Sequence, residues 1–280
     1  IAHEICENKF DGIIIANDGM QFSAGVNLNV FLEMAVNKRW KEIDSFLNKF
    51  QQSCKQLRYA NYPVIAATSG LAIGGGYEVV AHADFVVAHS NSVLGLVEPL
   101  VGLIPAGGGC KEMLRRWLND PQAKNDPNYA SLKVFDILES SLTTDSPQKS
   151  KKYKFLGQDD FMVMSRDRLI SEADKKIASL KDKYTPPSES IFSLPGSSVM
   201  EPINVILENL FKEKKIKAHG MIVGQNLGFM LSGGNTGIDE TLSEQNLFDL
   251  ERSVFLELIR MPLTQDRIRH TLETGKPLFN

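Results

Sequence analysis

Two glutamates stand in apolar company. Glu78 follows the run Gly74-Gly75-Gly76 by two positions and precedes Val79-Val80-Ala81, while Glu98 lies within Leu96-Val97-Glu98-Pro99-Leu100. A carboxyl group among apolar neighbours holds its proton more tightly and can exchange it near neutral pH. Two such groups can act as acid and base at adjacent atoms. The plainer alternative is that Glu78 complements a helix N-terminus and Glu98 is a solvated loop residue. Two turns of small residues favour the chemical reading. Three glycines at a helix start leave backbone N–H groups with no side chain blocking an approach. Ser23-Ala24-Gly25-Val26 is a second such turn. Two N–H groups converging on one oxygen make an oxyanion hole, suited to a carbonyl that becomes an enolate.

Other chemistries lack their residues. The sequence has no G-x-x-x-x-G-K-[ST] loop, no G-x-G-x-x-G, no H-E-x-x-H and no G-x-S-x-G. His82 and His89, seven residues apart, read as plain core or surface histidines, and no metal ligand set is expected.

The elements that must carry the glutamates follow from hydrophobic patterning. Residues 1–9 read as the end of a helix. Gly12–Ala16, Val64–Thr68 and Phe85–Ala88 are short apolar runs bounded by turn residues, as buried strands are. From Val30 to Tyr59 the pattern is helical, with Ile43, Phe46, Leu47, Phe50, Cys54 and Leu57 on one stripe. Residues 69–76 read as a glycine-dense turn, and Tyr77–Ala83 as a short helix. Residues 91–110 read as structured loops, 119–128 and 143–152 as exposed loops, and 184–198 as a linker or extended arm. A short apolar piece and a helix fall within 160–180. Strands alternating with helices predict an α/β chain with mainly parallel strands. The expected layout is an α/β core over residues 1–200 and a helical segment over 201–280.

Composition bounds the rest. The 280 residues are 42% hydrophobic and 23% charged, ordinary for a globular protein. The net charge of −3 argues against nucleic-acid and membrane-surface partners. Cys6, Cys54 and Cys110 are odd in number and widely spaced, which fits a reducing, cytoplasmic setting. No run reaches the ~18 apolar residues of a membrane span, and no secretory leader is expected. The start at Ile1 reads as that of a fragment or processed piece.

The same residues resemble a known family. Phe22-Ser23-Ala24-Gly25-Val26-Asn27-Leu28 is similar to the F-x-A-G-A-D-I/L loop of the crotonase (enoyl-CoA hydratase/isomerase) superfamily. Pro63–Ala67 with Gly70–Glu78 resembles its second signature. Gly95–Pro99 with Gly102–Gly109 resembles its third. Glu78 and Glu98 are 20 apart, the spacing of the two catalytic glutamates of that family's hydratases. The ending from Ser243 to Asn280 is similar to the C-terminal hydratase part of bacterial multifunctional 3-hydroxyacyl-CoA dehydrogenases of the fatty-acid oxidation complex.

The resemblance implies a crotonase-like (ClpP/crotonase) ββα spiral with a helical C-terminal segment. It implies hydration of trans-2-enoyl-CoA to 3-hydroxyacyl-CoA in β-oxidation, with Glu78 and Glu98 catalytic. It assigns the oxyanion N–H groups to Val26 and Gly75, water placement to the Ala106 backbone, and CoA contacts to Ala24, Asn27 and Leu28. The CoA thioester is the substrate, no cofactor is required, and NAD would serve only a dehydrogenase domain absent from this chain. That domain of the same parent chain is the implied partner, a homo-oligomer is compatible with the reading, and the setting is the bacterial cytoplasm. An isomerase of the same family and a catalytically silent scaffold or oligomerisation module are the rivals. A ClpP-like peptidase shares the fold type but needs a serine nucleophile and histidine base that have no evident place here. Asn27 and Asn29 stand where the family usually has Asp and Lys, so Lys38, Arg39 and Lys276 are the candidates for the CoA phosphates. The family's first strands would precede Ile1, so an edge of the core sheet is expected to be bare or filled from elsewhere.

Overall fold

The computed structural model describes residues 2–280. The expected N-terminal helix is present as Ala2–Lys9, and Ile1, also assigned to it, lies outside the described residues. The chain divides into two compact units. The first takes the residues up to Val26, Gln52–Leu96 and Thr143–Glu189; the second takes Asn27–Gln51, Val97–Leu142 and Ser190–Asn280.

The first unit is organised on the run Val64–Thr68, in which all five residues are buried. A strand covered on both faces has no polar side to present, which is why it reads as a continuous apolar run. It pairs in parallel with Ile13–Ile15 on one side and Phe85–His89 on the other, and Phe161–Val163 joins the far side of Phe85–His89, again in parallel. Ile13–Ile15 ends the described sheet, and its three isoleucines are half-buried. The helix Leu169–Leu180 closes one face: its Leu169, Ala173 and Ile177 pack with Ile65, Ala67, Val87 and Val163. Asp84, just ahead of Phe85, accepts from the Val64 N–H and the Tyr184 hydroxyl, both at 2.9 Å.

A second sheet in this unit differs from the sequence reading. Leu71–Ile73, expected within a turn, is a strand paired in parallel with Val93–Gly95, which pairs antiparallel with Thr143–Thr144. Strands of two or three residues are too short to show a period, and glycines flank this one. The expected loop 143–152 also contains a helix, Pro147–Lys152, with Ser146 as its N-cap and proline in its first turn.

The second unit is mostly helical. The single expected helix over 30–59 is two, Leu28–Val36 and Trp40–Arg58. The break falls at Asn37–Arg39, where Lys38 has φ +54°. Gly109–Leu118, Tyr129–Glu139, Met200–Lys212, Ala218–Ser232, Glu244–Ile259 and Pro262–Thr274 complete the long helices of this unit. Within the expected arm, Ile191–Ser193 pairs antiparallel with Thr241–Ser243. Ser243 and Asn246 then form a reciprocal capping box that starts the next helix. Among the described residues no helix is long and apolar enough to cross a membrane.

Candidate active site

In the first unit, the Ser23–Val26 turn is fastened to the strand Leu71–Ile73. Ser23 N–H donates to the Leu71 carbonyl at 2.8 Å, and Ile73 N–H donates to the Ser23 carbonyl at 3.1 Å. The turn closes on itself through the Gly25 N–H to Ser23 Oγ, 3.1 Å. Gly25 has φ +94°, a conformation that side chains disfavour. A Cβ at Gly25 would stand 3.3 Å from the Ile73 carbonyl oxygen and 3.5 Å from the Gly75 nitrogen. The turn that carries Ala24 and Val26 therefore lies against the first residue of the helix Gly75–Ala81.

That helix start is built from glycine, and Gly74, Gly75 and Gly76 are all buried. Gly74 caps it with no side-chain hydrogen bond; the Glu78 N–H donates to the Gly74 carbonyl at 3.0 Å, and the N–H groups ahead of it precede any intrahelical acceptor. Gly76 is glycine for a different reason: a Cβ there would lie 2.6 Å from Ser23 Cβ and 2.8 Å from the Ser23 carbonyl oxygen. Any larger residue would push the Ser23 turn away from the helix. Glu78 sits in the same first turn and is 3% exposed. His82, one turn further on, donates from Nδ1 to the Glu78 carbonyl at 2.7 Å.

In the second unit, Glu98 opens a 3₁₀ turn, Glu98–Val101, and is half-buried. Its carbonyl accepts from Leu103 N–H at 3.1 Å. The Pro262–Thr274 helix grips this turn. Thr264 Oγ1 donates to the Gly102 carbonyl at 3.1 Å, and Arg267 NH1 donates to the Pro99 carbonyl at 3.3 Å. Since the Thr264 hydroxyl proton is committed to Gly102, His219 Nε2–H must donate to Thr264 Oγ1, 2.8 Å away.

The segment around Ala106 is held at several points. Cys110 Sγ donates to the Pro105 carbonyl at 3.5 Å, and Gln51 Nε2 donates to both the Ala106 and Phe248 carbonyls at 2.8 Å. Gln51 Oε1 accepts from Arg252, which is paired with Asp44 at 2.7 Å. Glu251 accepts from the N–H groups of Gly108 at 2.7 Å and Lys111 at 2.8 Å. Behind it, the fully buried Lys111 ammonium donates to Glu112 at 2.7 Å and Glu244 at 2.6 Å. Arg115 completes the group by pairing with Glu112 at 2.6 Å.

The first unit thus brings the Ala24–Val26 turn, Gly75 and Glu78 together, and the second holds Glu98 and Ala106 on separately fastened backbone. Asn27 Oδ1 accepts from Asn29 N–H at 3.0 Å and caps its own helix; Leu28 is the first residue of that helix and half-buried. Of the phosphate candidates, Lys38 and Lys276 are exposed, while Arg39 is engaged with Glu33 at 2.7 Å and Glu42 at 3.3 Å. Sequence reasoning missed Gln51, Glu244 and Glu251. Gln51 had a signal, a polar residue between Leu47 and Cys54 on the apolar stripe. Glu244 and Glu251 had another, seven residues apart on the buried face of their helix.

The comparisons agree with this architecture. The enoyl-CoA hydratase/isomerase family pattern matches residues 2–125. A "Probable 3-hydroxyacyl-CoA dehydrogenase" of Bacillus subtilis (strain 168) is 31% identical over 278 residues, which is 99% of this chain and 35% of that protein. A "Probable enoyl-CoA hydratase" of Rhizobium meliloti (strain 1021) is 26% identical over 70% of this chain and 64% of that protein. The chain spans about a third of the length of the first curated relatives it matches. The crystal structure of enoyl-CoA hydratase from Bacillus halodurans superposes with a TM-score of 0.59 at 14% identity, covering 96% of this chain and 85% of that one. The fold is that of the crotonases, and the likeness to the enoyl-CoA hydratase/isomerase family pattern lies within residues 2–125.

Proposed function

We propose that the chain is an enoyl-CoA hydratase that adds water reversibly across the 2,3 double bond of a trans-2-enoyl-CoA in fatty-acid β-oxidation. The observation that carries this reading is the Gly25 turn lying against the Gly75 nitrogen, with Glu78 buried in the same helical turn. In this reading the thioester oxygen accepts from the N–H groups of Val26 and Gly75, which stabilise the enolate-like charge as it develops. Glu78 takes a proton from water as its oxygen bonds to C3, and Glu98 delivers a proton to C2. The Ala106 N–H helps to place the water, and Ala24, Asn27 and Leu28 contact the CoA portion.

Hydration neither oxidises nor reduces the acyl chain, so this reading requires no redox cofactor. NAD belongs, on the same reading, to a dehydrogenase domain of a longer bacterial cytoplasmic parent chain. The test is the ultraviolet absorbance of the enoyl-thioester on adding crotonyl-CoA and longer enoyl-CoAs. Decay of the band with the wild-type protein, abolished in Glu78→Gln, supports the reading. A wild-type protein that binds CoA and leaves the band unchanged overturns it.

A further inference from the structure

A recess lies in the helical unit, beside the Glu98–Val101 turn. Pro99, Leu100, Val223, Leu227 and Phe279 give it apolar walls, and Arg267, Ser141 and Glu139 are its polar groups. Its cavity volume is about 50 Å³. At ~10–15 Å³ per water-sized group, that is room for a small polar head with a short stem, and not for a nucleotide or a long chain.

Arg267 is the unusual member. It is 5% exposed, and a cation buried to that degree is normally paired with an acid. Lys111, the other deeply buried cation described above, has two carboxylates. Arg267 has none within ion-pair distance among the described residues. It bonds only to neutral oxygens, from Nε to Asn280 Oδ1 at 2.8 Å and from NH1 to the Pro99 carbonyl at 3.3 Å. Its NH2 makes no hydrogen bond to any described residue. The recess reaches that nitrogen because position 220 is glycine: a Cβ there would stand 3.7 Å from Arg267 NH2. Ser141 is 9% exposed, and its buried hydroxyl also lacks a hydrogen-bond partner.

Neither neighbouring titratable group, Glu139 or His219, pairs with the Arg267 guanidinium. Burial first, and Asp136 second, hold the Glu139 carboxyl above the usual carboxylate range, so it keeps its proton more readily than an exposed acid. Burial and then Arg267 pull His219 down to about 4, so it is neutral at physiological pH. One uncompensated guanidinium, one free hydroxyl and apolar walls match a planar monoanion with an aliphatic stem.

We propose that this recess is a binding site for a short-chain aliphatic carboxylic acid, its carboxylate held by Arg267 NH2 and the Ser141 hydroxyl. The site is separate from the proposed hydration chemistry and does not depend on it.

The test is calorimetric titration of the wild-type protein with butanoate and hexanoate, with hexanamide and hexylammonium as shape-matched controls. Saturable binding of the carboxylates alone is expected. Ser141→Ala should weaken it roughly 10-fold, the loss of one hydrogen bond to a charged group, and Arg267→Met should abolish it. Ser141→Ala removes an atom with no protein partner and should leave folding intact, so it decides the question if Arg267→Met fails to fold. Hexanamide binding as tightly as hexanoate, no saturable carboxylate binding, or unchanged affinity in Ser141→Ala would each overturn the proposal.

Discussion

Glu251 and Gly108 are joined by a buried 2.7 Å hydrogen bond from backbone N–H to carboxylate, across 143 residues of sequence. The second carboxylate oxygen takes the Lys111 N–H at 2.8 Å, so one side chain satisfies two free donors at the start of the Gly109–Leu118 helix. Removing it strands both donors in a dry interior, and an unmet buried donor costs ~1–3 kcal/mol. Glu251→Ala is therefore expected to lose roughly 3 kcal/mol of stability in urea denaturation. Glu251→Gln, which keeps one acceptor oxygen, should lose about half of that. A loss below about 1 kcal/mol in the alanine variant would show that water replaces the carboxylate.

The Lys111 cluster should behave as a unit. Lys111 serves both Glu112 and Glu244, and only Glu112 has a second cation, Arg115. Lys111→Met leaves Glu244 buried and uncompensated, a situation that costs ~3–5 kcal/mol. Adding Glu244→Leu removes that orphaned charge. The double variant should be more stable than Lys111→Met alone, and a double-mutant cycle should give a coupling of about 1 kcal/mol or more. Additive losses in the cycle would mean that the two groups are independently hydrated.

What the sequence makes legible follows from how local each determinant is. Val64–Thr68 and Phe85–His89 are readable because burial on both faces leaves an unbroken apolar run. Glu78's burial is readable from its valine and alanine neighbours. Leu71–Ile73 and Thr143–Thr144 are not, because strands this short owe their existence to partners far along the chain. The break at Lys38 is hidden within helix-forming residues, since a positive φ at a lysine leaves no trace in composition. Gln51 and Glu251 are polar residues on buried faces. Their acceptors and donors lie 55 and 143 residues away, so spacing can flag them without saying what they hold.

His219 makes acid stability a specific expectation. Burial, with Arg267 next to it, depresses its folded-state pKa to about 4, below the ordinary 6.5. The unfolded chain therefore takes up a proton that the folded chain refuses. Stability from this group is complete above about pH 6.5 and is lost as pH falls toward 4, with a limiting slope of ~1.4 kcal/mol per pH unit. Asp84 and Glu139, whose carboxyls burial holds up, act with the opposite sign. The measurement is thus the difference between wild type and His219→Gln, in which the amide can still donate to Thr264. Urea midpoints at pH 7 and pH 5 should converge in the variant relative to wild type. Parallel pH dependence in the two proteins would place the acid sensitivity elsewhere.

Gly25→Ala tests the geometry of the turn. The added methyl must adopt φ +94° and sit 3.3 Å from the Ile73 carbonyl oxygen. A left-handed residue costs ~1–2 kcal/mol, and the strain is applied where the turn meets Gly75. Stability should fall by about that amount while enoyl-CoA hydration falls roughly 10²-fold, as on losing one oxyanion donor. A variant that loses stability without losing rate would separate the turn from the chemistry.

Hydration, isomerisation and a silent scaffold place different demands on Glu78 and Glu98. All three share the fold, so they are told apart by how many carboxylates the reaction needs. Hydration requires one group to take a proton from water and another to give a proton to carbon, whereas moving a double bond requires only a shuttle between two carbons. Each of Glu78→Gln and Glu98→Gln should therefore lower enoyl-CoA hydration by ~10²–10⁴-fold, the usual contribution of a positioned acid or base. Groups that serve one water act together, so the double variant should be barely worse than either single one. Gln preserves the size of each side chain, and circular dichroism should show all three variants folded. If either single variant keeps most of its hydration rate, the two-carboxylate mechanism fails and the isomerase gains. If the double variant loses the product of the two single effects, the glutamates act in separate steps.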